Sequence, residues 1–249
     1  SGGLATVEGA TRGPVNLVMS GPVAGLIGGI WAGKMAGYDN VITLDIGGTS
    51  ADISTIPDHQ IKIMNPRDTY VSGHPVLTPM IDLVTIGAGG GSVAFIDDAG
   101  GFNVGPRSAG SEPGPACYGR GGTEPTVTDA QIVLGRLDPD MALGGDLQLD
   151  ADLARKAVEE KIAKPLGLTV RDAALGIIKI INSNMALAIR SNSVARGVDP
   201  REFSIMPFGG AGPLHGTALA EAVSAKDVIV PVAPGITAAV GLLKPDLQY

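Results

Sequence analysis

Some segments of this chain have the spacing of apolar residues that is typical of strands, and others have the spacing that is typical of helices. Residues 41–54 predict a strand that ends at Asp45, a glycine turn and a second strand, because apolar β-branched residues dominate the run. Residues 203–208 predict a third strand of the same apolar kind. Apolar side chains at helical spacing predict a long helix from 170 to about 197, and small residues predict another from 23 to 37.

Shorter elements and a long loop connect these segments. Residues 105–122 contain too many glycines and prolines to form regular structure for long. Because the segment is not of low complexity, we expect an ordered loop there. Thr128, Asp150 and Thr169 precede apolar runs and are interpreted as helix caps. Further strands are predicted at 15–19, 61–64, 93–96 and 227–231, and further helices at 129–136, 151–164, 214–223 and 233–243.

The turn between the first two strands carries the strongest chemical signal. Asp45 ends one strand, and Gly47, Gly48, Thr49 and Ser50 follow it. Two glycines leave backbone N–H groups open to an anion such as a phosphate, and the two hydroxyls add donors. Asp45 would hold a metal ion, or a water bound to one, beside a nucleotide. An ordinary glycine hairpin with an acid at its start is the alternative.

Composition and charge exclude several classes of protein. The chain has 249 residues and a net charge of −7 without a basic stretch, which argues against nucleic acid or anionic membranes as partners. The uncharged segment 14–33 is interpreted as a packed helix because it contains polar residues and repeated glycines. A single cysteine, Cys117, excludes an internal disulfide framework and favours a reducing compartment, so we expect a cytoplasmic protein.

Several motifs carry a resemblance to known proteins. The glycine-rich helix, the acid–Gly–Gly–Thr turn and a later Phe-Gly-Gly-Ala-Gly turn stand in an order that resembles the second half of the actin-like ATPases. In more detail, the chain resembles the hydantoinase A / 5-oxoprolinase family. The segments that carry this resemblance are 20–25, 45–53, 86–92, 104–110, 113–122, 127–130 and 208–215.

The resemblance implies an α/β fold of a ribonuclease-H-like half, with a mixed sheet flanked by helices. It implies one hydantoinase A module over residues 1–249, with 65–125 as a loop-rich, glycine-rich insertion. Family members begin with a further Asp-Gly-Gly-Thr phosphate motif, whereas this chain has only the one at Asp45 and lacks an initiator Met. We therefore expect an excised piece of a longer protein.

The resemblance also implies a function. The chain would be the ATP-binding module of an enzyme that opens hydantoin or 5-oxoproline through a phosphorylated amide, with ATP and Mg²⁺ as cofactors. Two alternatives stay open: a subunit of an ATP-dependent acetone or acetophenone carboxylase, and a non-catalytic nucleotide-sensing module. Expected partners are the missing N-terminal region and a second, B-type subunit. The isolated chain is expected to show little activity.

Roles for individual residues follow from the same resemblance. Asp45 is expected to position Mg²⁺, and His74 and Asp82 are weaker catalytic candidates in a proline-containing loop. Residues 87–92 are interpreted either as a cleft-lining loop or as a structural turn. The phosphates are assigned to Gly47, Gly48, Thr49 and Ser50, and the adenosine end to Gly209, Gly210, Ala211 and Gly212.

Overall fold

The computed structural model describes residues 5–71, 73–78, 80–140 and 147–243. The α-helices are α1 (Val7–Arg12), α2 (Ser20–Ala36), α3 (Val127–Val133), α4 (Ala151–Val158), α5 (Lys164–Leu166), α6 (Val170–Ala195), α7 (Gly216–Val223) and α8 (Thr237–Leu242). The strands are β1 (Val41–Ile46), β2 (Ala51–Ile56), β3 (Tyr70–Val71), β4 (His74–Pro75), β5 (Val84–Ile86), β6 (Ser92–Ile96), β7 (Phe102–Ser108) and β8 (Ser204–Phe208). Short 3₁₀ turns and one π turn, at Glu159–Ala163, join several of them.

A four-stranded sheet with the order β5–β2–β1–β8 positions the predicted turns. Strand β1 pairs in parallel with β8, so that Val41 lies opposite Ser204 and Asp45 lies opposite Phe208. Two-stranded antiparallel ribbons form from β3 with β4 and from β6 with β7. Strands and helices together confirm the α/β prediction. The parallel pair brings the carboxyl ends of β1 and β8 to the same edge of the sheet.

Helix α2 has glycines on two faces because two different elements approach it closely. On the face toward the sheet, a Cβ on Gly29 would lie 2.6 Å from Cγ2 of Thr43. On another face, a Cβ on Gly28 would overlap the carbonyl oxygen of Thr237 in α8. The small residues of this helix thus let another backbone lie directly against it.

Helix α6 begins and ends close to the predicted positions. The amide of Asp172 donates to Oγ1 of Thr169 at 3.1 Å, and that hydroxyl donates to the Asp172 carboxylate at 2.6 Å. The bond from the Asp172 amide to the Thr169 side chain confirms the predicted cap at Thr169. By length and composition alone α6 could cross a membrane, but half of its most apolar window is buried inside the protein. A core helix meets the same description.

Several short elements differ from the sequence prediction. Pro14–Leu17 is a 3₁₀ turn rather than a strand. The runs 61–64 and 227–231 form only the isolated bridges Ile63–Ile81 and Ile205–Val228. A short apolar run becomes a strand only where a neighbour offers a continuous ladder, and the sequence does not show that neighbour. The expected loop 105–122 begins inside strand β7, and α3 is capped by Thr126 rather than Thr128.

The contacts divide the chain into two compact units. Unit 1 contains Ser1–Asp45, Asp52–Val84 and Ile189–Tyr249, and unit 2 contains Ile46–Ala51 and Thr85–Ala188. One core cluster of unit 1 consists of Val23, Leu26, Ile56 and Ile81, and one of unit 2 consists of Cys117, Ile132, Leu149 and Ala154. The single module over 1–249 and the insertion at 65–125 stay predictions.

Candidate functional site

Asp45 lies at the carboxyl end of β1, half-buried and directly opposite Phe208 of β8. Gly25 of helix α2 makes room for both, since a Cβ there would lie 2.9 Å from the Phe208 ring and 3.1 Å from Oδ2 of Asp45. Burial raises the pKa of the Asp45 carboxyl, and the negative charge of Asp52 raises it further. The environment of Asp45 therefore disfavours the ionised carboxylate, and a bound cation would stabilise it.

The second glycine turn leaves β8 immediately after Phe208. Gly209 adopts a φ of +82°, which favours glycine, and its amide donates to the carbonyl of Pro234 at 3.0 Å. Gly210 is exposed, and a Cβ there would meet nothing within 4 Å. Gly212 is buried, and a Cβ there would lie 3.4 Å from the carbonyl oxygen of Leu44. Asp45 and this turn thus stand at the ends of neighbouring strands in unit 1.

The turn between β1 and β2 has an open row of backbone donors. The amide of Gly47 donates to the carbonyl of Ser50 at 3.0 Å, so its N–H is already used inside the turn. Gly48 and Thr49 are exposed, and Ser50 is half-buried. Among the described residues, no acceptor is paired with the amides of Gly48, Thr49 or Ser50. Successive unpaired amides of this kind suit an anion.

Residues 89–91 form a strap behind that turn. The amide of Gly90 donates to the carbonyl of Gly47 at 3.0 Å, and the amide of Gly91 donates to that of Gly48 at 2.6 Å. A Cβ on Gly89 would lie 2.8 Å from the carbonyl carbon of Gly48. These contacts favour the structural interpretation of segment 87–92. They also place it in direct contact with the turn between β1 and β2, which the sequence did not indicate.

Asp82 is held in a different environment from Asp45. Its carboxylate lies 3.1 Å from Nη2 of Arg196, whose side chain is 7% exposed, and 3.6 Å from Nζ of Lys62. Arg196 also donates to the carbonyl oxygens of Asp82 and Thr55. These contacts give Asp82 a structural role, and its catalytic role stays a prediction without support from this geometry.

The side chains of His74, His215 and Cys117 differ in their exposure. His74 is exposed on β4. His215 is buried at the start of α7, and its amide donates to the carbonyl of Gly212 at 3.0 Å. Cys117 is buried, and burial, followed by the charge of Asp129, raises the pKa of its thiol, which disfavours a nucleophilic thiolate.

Asp45 fits a magnesium ion of the kind found beside nucleotides. In the part of the chain that the structure describes, no group of three or more His, Cys, Asp or Glu side chains could hold a metal. Magnesium is usually bound by one or two carboxylates together with water and phosphate oxygens. Burial and the charge of Asp52 raise the pKa of Asp45, and a nearby cation would favour its ionised form. Asp45, with Asp52 nearby, is therefore the donor that such an ion would use.

A separate cavity of about 440 Å³ lies along α2 in unit 1. No charged side chain among the described residues lines this cavity, so its lining suits an apolar occupant better than a triphosphate. Its lining residues are Gly28, Trp31, Ala32, Met35, Ala36, Thr237, Val240 and the segment 229–233.

Comparison with known proteins finds one family along the whole chain. The family model described as Hydantoinase/oxoprolinase matches residues 1–249. The caprolactamase subunit alpha of Pseudomonas jessenii is 43% identical over 249 residues, which cover 100% of this chain and 36% of that subunit.

Two solved structures share the fold. A nucleotide-free acetone carboxylase superposes with a TM-score of 0.83 at 36% identity, over 92% of this chain and 32% of that one. The ATP-dependent caprolactamase of Pseudomonas jessenii superposes with a TM-score of 0.82 at 42% identity, over 92% of this chain and 33% of that one. The chain spans about a third of the length of these relatives. The predicted fold, α/β and actin-like, is confirmed.

Proposed function

This chain belongs to the hydantoinase/oxoprolinase family, and we propose that it is the ATP-binding module of an enzyme that uses ATP to open cyclic amides. The observation that carries the proposal is the row of open amides that follows Asp45 along the chain. In open α/β sheets, ligands bind beyond the carboxyl ends of the strands, which is where Asp45 and the second glycine turn lie.

The proposed phosphorylation of an amide requires precise positioning of the reactants more than it requires reactive side chains. An amide resists water at neutral pH, and phosphorylation of its oxygen would turn that oxygen into a leaving group. Catalysis of phosphoryl transfer consists mainly of alignment and charge neutralisation. The amides of Gly48, Thr49 and Ser50 would hold phosphate oxygens. The segment 209–212 would lie against the adenosine end, where the absence of bulk permits close approach.

Magnesium would neutralise phosphate charge when it is bound, and Asp45 is the carboxylate of this chain that would hold it, directly or through water. Gly25 and Phe208 fix where that carboxylate lies. We extend the proposal to a cytoplasmic enzyme that works with an N-terminal region and a B-type subunit. The caprolactamase relative supports only the part of this extension that concerns a further subunit, because it is itself named as subunit alpha.

A ketone carboxylase is the second candidate function. Its support is the acetone carboxylase structure, which matches at a TM-score of 0.83. Both reactions need ATP to activate a carbonyl oxygen, so the same nucleotide module serves either. A nucleotide-sensing module without catalysis is the third candidate, and it differs by consuming no ATP with any substrate.

The test is ATP consumption by the full-length protein. Phosphate release is measured with hydantoin, 5-oxoproline, caprolactam, acetone plus bicarbonate, and no substrate. Stimulation by a cyclic amide supports the first function, and stimulation by the ketone supports the second. Asp45→Ala is expected to lower kcat by about 10²-fold or more, since it removes a group that organises transition-state charge.

Asp98→Ala is the matched control, because Asp98 is an exposed acid in the β6–β7 turn. It is expected to retain wild-type turnover. Normal ATP turnover by Asp45→Ala would show that the role given to Asp45 is wrong. Absence of turnover with every substrate would instead favour the sensing module.

A further inference from the structure

The strap fixes the direction in which the anion-binding turn presents its amides. A trans peptide group is planar, so its C=O and the following N–H point in opposite directions. The carbonyl of Gly47 accepts from Gly90, which turns the N–H of Gly48 away from the strap. The carbonyl of Gly48 accepts from Gly91, which likewise turns the N–H of Thr49 away. The carbonyl oxygens, which would repel a phosphate, are thereby held on the opposite side.

The strap can lie this close only because it lacks side chains. Gly89, Gly90 and Gly91 are all buried. A Cβ on Gly89 would lie 2.8 Å from the carbonyl oxygen of Gly47, and a Cβ on Gly91 would lie 2.9 Å from that of Gly48. Both contacts would be with backbone atoms, which cannot swing aside as a flexible side chain could.

Thr128 of α3 holds the strap from behind. Its amide and its Oγ1 both donate to the carbonyl of Gly90, at 2.8 Å and 2.9 Å. That carbonyl shares a peptide plane with the N–H of Gly91, so the two bonds direct this N–H toward Gly48. Three groups then stand in series: the Thr128 hydroxyl, the Gly90–Gly91 peptide and the Gly48–Thr49 peptide. Hydrogen bonds in series polarise one another.

The Thr128 hydroxyl has no part in capping its helix. Thr126 supplies the cap, since its Oγ1 accepts from the amide of Asp129 at 3.3 Å and the Asp129 carboxylate accepts from the amide of Thr126 at 2.8 Å. The side chain of Thr128 therefore acts on the strap, and not on the helix start that its sequence position suggested.

We propose that Thr128 is a positioning residue for phosphate binding, which acts through the Gly90–Gly91 peptide to fix the direction of the Thr49 amide. This inference rests on the proposed ATP-binding function and deepens it. It assigns to α3 a part in nucleotide affinity although Thr128 would not touch the nucleotide.

The test compares phosphate-dependent and phosphate-independent affinity in the full-length protein. Dissociation constants for ATP and for adenosine are measured in Thr128→Val, which keeps the shape of the side chain and removes the hydroxyl. We expect the dissociation constant for ATP to rise about 3- to 10-fold, which is the effect of losing one net hydrogen bond. The dissociation constant for adenosine is expected to stay unchanged. Thr128→Ser, which keeps the donor, is expected to restore ATP affinity.

Thr11→Val is the matched control, since the Thr11 hydroxyl also donates to a backbone carbonyl, that of Val7, in an exposed helix. It is expected to bind ATP like the wild type. Wild-type ATP affinity in Thr128→Val would overturn the positioning role and leave the proposed function intact. Equal weakening of ATP and adenosine would also overturn it, because it indicates a merely structural role. Failure of the wild-type protein to bind ATP would overturn both proposals.

Discussion

At the scale of single residues, Asp45 combines an environment that disfavours its charge with the proposed role of holding a cation. It is half-buried beside Phe208, and Asp52 adds a like charge nearby. Burial and like charge both favour the neutral carboxylic acid, whereas binding a cation needs the carboxylate. Groups that oppose folding in this way are common at functional sites.

Asp45→Asn is expected to stabilise the folded protein at neutral pH in the absence of nucleotide and divalent cations. The pKa of Asp45 is raised in the folded state from its ordinary 3.8, so the folded state binds more protons and ionisation opposes folding. That destabilisation is absent below pH 3.8, grows as pH rises through the folded-state pKa, and is full above it. The variant should have a higher melting temperature than the wild type near neutral pH, and this difference should shrink toward about pH 4.

The measurement is a thermal melt of both proteins across this pH range. Asp98→Asn, at an exposed acid, is the control and should leave the melting temperature unchanged at every pH. A melting temperature for Asp45→Asn that is lower than wild type at neutral pH would show that the acid stabilises the fold instead.

At the scale of elements, α2 and α8 cross without side chains at the point of contact. A Cβ on Gly241 would overlap the carbonyl oxygen of Ala24, and a Cβ on Gly28 would overlap that of Thr237. The approach buries backbone against backbone, so each helix sets the position of the other. Phe208 and the Asp45 carboxylate both lie against α2 at Gly25. The crossing therefore helps to fix the position of Asp45, because it sets the position of α2.

Gly241→Ala is expected to destabilise the protein by about 1–3 kcal/mol, since the added methyl group has no space and the helices must move apart. The measurement is the midpoint of urea unfolding. Gly21→Ala in α2 is the matched control, because a Cβ there meets nothing within 4 Å. That control should be neutral or stabilising, as alanine favours a helix over glycine by about 0.5–1 kcal/mol. Equal midpoints for the two variants would refute the close crossing.

At the scale of the whole molecule, this chain is a module of something larger in its relatives. It covers 36% of the caprolactamase subunit alpha. It contains a single acid–Gly–Gly–Thr turn, at Asp45, whereas the family resemblance calls for another in an N-terminal region. ATP turnover would need both phosphate motifs.

Residues 1–249 alone are therefore expected to hydrolyse ATP near the background rate, with or without a cyclic amide. The full-length protein under identical conditions should show substrate-dependent turnover. Phosphate release by both preparations at equal molar concentration is the measurement. Adding back the missing region as a separate polypeptide should raise the rate. Robust hydrolysis by the isolated module would contradict the need for a second phosphate motif.

The sequence by itself determined the elements whose signals are local. The strands around Asp45, the helix α6 with its Thr169 cap and the glycines of α2 all follow from side-chain period, capping chemistry and residue size. The family also followed from the sequence, because its motifs are contiguous segments that need no tertiary information.

Only the tertiary structure decided which groups meet across long stretches of chain. It paired Asp82 with Arg196, brought residues 89–91 behind the turn at 47–50, and directed Thr128 to Gly90. The last two of these contacts are made largely by backbone amides and carbonyls, which nearly every residue carries alike. A sequence records side chains, so it contains no mark of which peptide group will find which partner.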